Sequence, residues 1–136
     1  MKRYLLDTSA LLTLRDEEEG AENVSEILRQ ALQRRVNCFA CFITLMEVFY
    51  RVWRDEGEAE GRLAYEQCQA LPLIWIHEDK ALLEKAAEIK AVHQVSLADA
   101  WIGACAILQS AQLVHKDPEL ERLDCDQLRL PCKNRT

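Results

Sequence analysis

Leu97-Ala98-Asp99-Ala100-Trp101-Ile102-Gly103-Ala104-Cys105-Ala106-Ile107-Leu108 holds a single charged side chain, Asp99, in its first turn. A helix that is apolar nearly all round belongs in a core rather than on a surface. A carboxylate carried into that setting loses solvation, which hydrogen bonds, a cation or a proton must replace. The local sequence offers one solution. Ser96, three residues earlier, makes a capping-box-like start in which Asp99 reaches back to the Ser96 N–H and favours the positive end of the helix dipole. From this stretch alone, a cap and a functional acid are both open readings of Asp99.

Working outward, Gln112 to His115 reads as a strand after this helix, and Asp79 to Val92 as a helix before it, with Leu82, Leu83, Ala86, Ile89 and Lys90 spaced for partial burial. At the other end, Arg3 to Leu6 is a short buried strand ending at Asp7, followed by a helix over Thr8 to Leu14. Val24, Ile27, Leu28, Ala31 and Leu32 give Glu22 to Arg35 a helical period, and the apolar run Val36 to Ile43 predicts a second buried strand. From Thr44 a helix carries Leu45, Val48, Phe49, Val52 and Trp53 on one face and Glu47, Tyr50, Arg51 and Arg54 on the other. A further helix is expected over Glu58 to Ala70, a third strand over Leu73 to Ile76, and a weak fifth strand over Gln127 to Leu130. Strands alternating with helices predict an α/β fold, a three-layer α/β/α sandwich around a parallel, five-stranded sheet. In such sheets ligands gather beyond the carboxyl ends of the strands, where helix N-termini converge.

The 136 residues suit one domain spanning 1–136, long enough to bury a core without disulfide or metal staples. A hydrophobic share of 49% with 29% charged residues fits a globular protein and excludes a disordered one, and three Pro with four Gly favour helices over an all-β design. No run reaches the roughly eighteen apolar residues needed to cross a bilayer, and Tyr4-Leu5-Leu6 is cut by Asp7 before a signal-peptide core forms. The expectation is a cytoplasmic protein whose six cysteines are reduced thiols. Cys38 and Cys41 form a C-x-x-C, but on a strand their side chains point to opposite faces and no second pair of similar spacing follows, which disfavours zinc. A net charge of −6 argues against coating nucleic acid through a basic face. It leaves room for an enzyme that meets phosphate through a bound cation, which inverts the local sign. The acid run Asp16 to Glu19, with Gly20 behind it, reads as a solvated connection.

Four acids share one address in this scheme. Asp7 ends the first strand, Glu47 and Asp99 each sit early in a helix, and Asp117 follows the fourth strand. Each also has a local reading: Asp7 caps Thr8, Thr44 with Glu47 and Ser96 with Asp99 make capping boxes, and Asp117 precedes Pro118 at a turn. Glu47 has Arg51 four residues on as a pairing partner. Gathered at one sheet edge, the carboxylates repel, so a cation or shared protons must relieve them. Hard oxygen ligands suit Mg²⁺ or Mn²⁺. The natural use of such a site is phosphodiester hydrolysis, in which the ion's charge stabilises the phosphoryl oxygens and activates water.

Leu5-Leu6-Asp7-Thr8-Ser9-Ala10-Leu11-Leu12 resembles the opening motif of PIN-domain proteins, and Ile43-Thr44-Leu45-Met46-Glu47-Val48 resembles their second. Ser96-Leu97-Ala98-Asp99-Ala100 and Leu113-Val114-His115-Lys116-Asp117-Pro118 resemble the third and fourth. Four motifs in order across nearly the whole chain are similar to the small VapC-like branch. The resemblance implies Mg²⁺- or Mn²⁺-dependent endoribonuclease activity on RNA, inhibition by a small antitoxin encoded nearby, and a homodimer. It carries over Asp7, Glu47, Asp99 and Asp117 as metal-site and catalytic acids, with Thr8 or Ser9 orienting the site. Two places depart from the pattern. His115 stands where Ser or Thr is usual, and Leu120 where an aromatic is usual. His115 could contact phosphate or metal, but is read in preference as a structural residue at a strand end.

Arg51, Arg54 and Lys116 are candidate phosphate contacts, although a solvated helix face accounts for the two arginines equally well. One competing class is a noncatalytic interaction module with remnant acids, docking a partner on the apolar stripes Val24 to Leu32 and Val48 to Trp53, where core packing is the commoner explanation. Another is a metal-dependent phosphatase, although Asp7-Thr8-Ser9 lacks the second Asp of the haloacid-dehalogenase type.

Overall fold

A computed structural model describes residues 1–132; residues 133–136 of the expected domain lie outside the described residues. The chain runs β1 (Lys2–Leu6), α1 (Thr8–Arg15), α2 (Ala21–Leu32), β2 (Val36–Cys41), α3 (Phe42–Glu56), α4 (Glu58–Gln69), β3 (Ile74–Ile76), α5 (Lys80–Val92), α6 (Leu97–Leu108), β4 (Gln112–His115), a 3-10 turn (Pro118–Arg122) and β5 (Gln127–Arg129). The five strands form one parallel sheet in the order β3-β2-β1-β4-β5.

Side chains alternate across each strand, so neighbouring apolar residues feed opposite layers. Leu5, Phe39 and Leu113 pack with Leu82, Ile89 and Ile102 of α5 and α6. Leu6, Cys38 and Val114 pack with Leu11, Val24, Val48 and Ala64 of α1 to α4. Cys38 and Cys41 accordingly lie in different layers. Of the stripe Val24 to Leu32, Val24, Ile27 and Leu28 are core, while Leu32 at its end is exposed. No helix among the described residues is long and apolar enough to cross a membrane.

One boundary differs in a way that bears on the site. The second strand was expected to reach Ile43, but it ends at Cys41 and α3 begins at Phe42. Its outer neighbour β3 pairs only as far as Cys41 with Ile76, so no strand beyond that point holds Phe42 and Ile43 extended. Thr44 is therefore the third residue of α3 rather than its cap, and the capping box expected of Thr44 and Glu47 does not form.

The chain order places the site. From β1 the sheet grows one way through β2 and β3, and the chain then returns to the other side of β1 with β4. The crevice of a parallel sheet opens where the direction of winding reverses. Here that is the carboxyl end of β1 and β4, which Asp7 and Asp117 flank.

Candidate metal and active site

Asp7 leaves β1 as the N-cap of α1, and its carboxylate accepts the Ala10 N–H at 2.8 Å. Its own N–H still donates to Val114 O at 3.2 Å, which keeps it against β4. Ser9 ties the two strand ends together. Its hydroxyl donates to the Asp7 carboxylate, with oxygens at 2.7 and 2.9 Å, and accepts the Lys116 N–H at 2.9 Å. Thr8 faces the neighbouring helix: its hydroxyl donates to Glu47 Oε1 at 2.7 Å and lies 3.0 Å from Thr44 Oγ1. Both residues expected to orient the site thus hold an acid each.

Glu47 is buried on α3 and its second oxygen meets Arg51 at 3.3 Å, one helical turn on. Arg51 stands at the edge of the acids. Burial works against its charge, and Tyr50 with the Glu47 and Asp7 carboxylates more than restores it. The other two candidate phosphate contacts have acidic partners of their own. Arg54 pairs with Asp55 at 3.0 Å over the Tyr50 ring, and the Lys116 ammonium lies 3.8 Å from Glu18.

At the start of α6 the Ser96 hydroxyl accepts the Asp99 N–H at 3.1 Å, as a cap should. The reciprocal half of the expected capping box is absent. Glu119 Oε2 takes the Ser96 N–H at 3.0 Å, so Asp99 does not reach back to it. Sequence reasoning missed Glu119. Its only local signal is an acid two residues beyond Asp117 on a turn opened by Pro118. Asp99, Asp117 and Glu119 each present an oxygen within 4.8 Å of the others.

The fourth acid is fixed by the strand before it. His115 is fully buried, its Nδ1 accepts the Asp117 N–H at 3.0 Å, and its Nε2 therefore carries the proton given to Gln127 Oε1 at 2.9 Å. Asp117 Oδ1 accepts the Glu119 N–H at 2.9 Å, closing the turn. His115 thus fills a structural place at the strand end. Leu120, the second departure, is fully buried and pins the 3-10 turn to the core.

Electrostatics join the two halves. Burial pushes the Asp7 carboxyl up to about 7, opposed by its bonds from Ser9 and Ala10 and assisted by the Asp117 and Glu47 charges. Asp99 is driven up as well, first by burial, then by its contact with Asp117 and by the charges of Asp7 and Glu119. Two carboxyl groups in contact share either a proton or a cation. All donors here are hard oxygens, and the Asp99 and Asp117 carboxyl groups, both coupled by charge to Asp7, would suit a small divalent ion.

The PIN domain family model matches residues 4–125. The chain belongs to the PIN domain family. No curated protein sequence matches it. Among solved structures it is similar to VapBC2 from Rickettsia felis bound to a promoter DNA fragment, at 16% identity and TM-score 0.76, over 95% of this chain and 99% of that one. DNA-bound VapBC from Salmonella typhimurium gives 20% identity and TM-score 0.73, over 95% and 98% of the two chains. VapBC-5 from Mycobacterium tuberculosis, a member of the VapBC family of toxin-antitoxin systems, gives 15% and 0.64, over 97% and 100%. At such identities the likeness is one of fold. It matches the sandwich expected from the alternating strands and helices.

Proposed function

We propose that this PIN domain is a Mg²⁺- or Mn²⁺-dependent endoribonuclease, the toxin of a toxin-antitoxin pair, with Asp7, Glu47, Asp99 and Asp117 as its working acids. The observation that carries the reading is the buried Asp99 carboxyl in contact with Asp117, two groups whose oxygens lie within 4.8 Å and whose combined charge a cation would relieve. A bound divalent ion would supply charge to a phosphodiester's oxygens and an activated water at neutral pH.

The chain's own residues do the positioning. Ser9 and the Ala10 N–H fix Asp7, while Thr8 and Arg51 each hold one oxygen of Glu47. Arg51, part-exposed beside those acids, would meet a phosphate from the solvent side, a reading supported by its partial exposure. With a net charge of −6 the surface does not recruit RNA by itself, so affinity for the backbone is concentrated at the ion and at Arg51.

Two apolar grooves support the partner side of the proposal. One, lined by Leu11, Leu14, Val48, Ala64 and Leu71, has a volume of about 290 Å³ and suits an apolar helix of a small antitoxin. The other, about 450 Å³ between α5 and α6 and lined by Leu83, Leu97 and Trp101, suits a second copy of the chain. All six cysteines are free thiols, in keeping with a cytoplasmic place of action.

The test is a panel of structured and single-stranded RNAs incubated with Mg²⁺ or Mn²⁺, with Asp99→Asn and a phosphomonoester alongside. Cleavage of RNA that needs the ion and disappears in the variant is the expected result. Turnover of the phosphomonoester alone would transfer the site to a phosphatase, and an inert wild-type protein would leave an interaction module.

A further inference from the structure

Two acids compete for one donor at the start of α6. In a capping box the third residue of the helix returns to the N-cap N–H, and Asp99 stands at that position behind Ser96. Glu119 takes this N–H instead, from a turn 23 residues away. The turn is well placed to hold it. Leu120 is fully buried beneath, Asp117 Oδ1 accepts the Glu119 N–H, and Arg122 donates to Gln94 O at 2.7 Å, just before Ser96. The 3-10 turn thus grips the entry to α6 at two backbone groups.

With Glu119 on the Ser96 N–H, neither Asp99 oxygen is taken up by the N-cap donor, and the carboxylate stays directed at Asp117 beyond the end of β4. We infer that Glu119 is a positioning residue: by occupying the Ser96 N–H it keeps the Asp99 carboxylate turned toward Asp117, where the two lie within 4.8 Å. The inference rests on the reading of these acids as a divalent-ion site. Removal of the Glu119 side chain frees the donor, and Asp99 is at the right spacing to claim it and withdraw from the site.

Because Glu119 carries charge as well as a hydrogen-bond acceptor, three variants separate the roles. Mn²⁺ uptake is titrated by the loss of the free-ion paramagnetic resonance signal in wild type, Glu119→Ala, Glu119→Gln and Asp99→Asn, with circular dichroism confirming that each is folded. Glutamine keeps an oxygen for the Ser96 N–H and loses the charge. The expected result is that Glu119→Ala weakens Mn²⁺ binding by about tenfold or more, the scale of outer-shell partners, while Glu119→Gln stays within about threefold of wild type. Equal weakening in both would make Glu119 a charged ligand and overturn the positioning role. Unchanged binding in both would show that Asp99 needs no such support, and would also overturn it. Wild-type protein that takes up no Mn²⁺, or an Asp99→Asn variant that binds as wild type does, is a different failure. It removes the site reading itself, and this inference with it.

Discussion

Asp7 and Asp99 are acids held where neutral side chains would be more comfortable, and this has a sign. The Asp7 carboxyl loses its proton near 3.8 when exposed and near 7 in the fold. Between those values the native state keeps a proton that the unfolded chain has given up, so without a divalent ion stability falls as pH rises through that window. The slope for such a group is at most about 1.4 kcal/mol per pH unit. Thermal unfolding in EDTA should give a lower Tm at pH 7 than at pH 5, and Asp7→Asn should flatten the difference; equal Tm values in wild type would contradict the burial argument. Asp99→Asn should likewise raise the metal-free Tm at neutral pH while lowering RNA cleavage by more than about a hundredfold, since even outer-shell partners are worth 10–100-fold in metal sites. These acids were legible because few residue types remain once a carboxylate is required in an apolar context. Glu119 was not, because its value lies in an N–H distant in sequence.

Helices and strands were legible in kind, because their apolar periods follow which layer each residue feeds, as Leu5 and Leu6 do on either side of β1. Where they end depends on neighbours, as the early stop of β2 shows at the limit of its pairing with β3. Two close approaches are equally invisible in sequence. A Cβ on Gly61 would meet the Phe49 carbonyl oxygen at 2.9 Å, and one on Gly103 would meet Leu123 Cδ1 at 2.3 Å. Leu123 is buried and has little room to move, so Gly103→Ala should cost about 1–3 kcal/mol by overpacking α6 against the 3-10 turn, read as a lower denaturant midpoint. Leu120→Ala empties the core beneath that turn. A loss of about 2–5 kcal/mol is expected, and a denaturation midpoint equal to wild type would mean the turn is not anchored through its core leucine.

At the scale of the molecule, the sheet collects acids from four separate segments and the fold carries the resulting repulsion. A divalent ion should therefore stabilise the whole domain, and more strongly at pH 8 than at pH 5, because the ligating carboxylates must be deprotonated to bind it. At an ion concentration a hundred times the dissociation constant the gain is about 2.7 kcal/mol, seen as a rise in Tm that EDTA reverses. A single cooperative transition in the same scans is expected if residues 1–136 fold as one domain, and two resolved transitions would divide it. The amino-acid order by itself determined the layer pattern, the parallel sheet and the four acids at its carboxyl edge, because periodicity and side-chain chemistry are properties of short segments. Only tertiary structure decided which acid meets which and who holds the Ser96 N–H, because those choices are settled between segments that packing, not sequence distance, brings together.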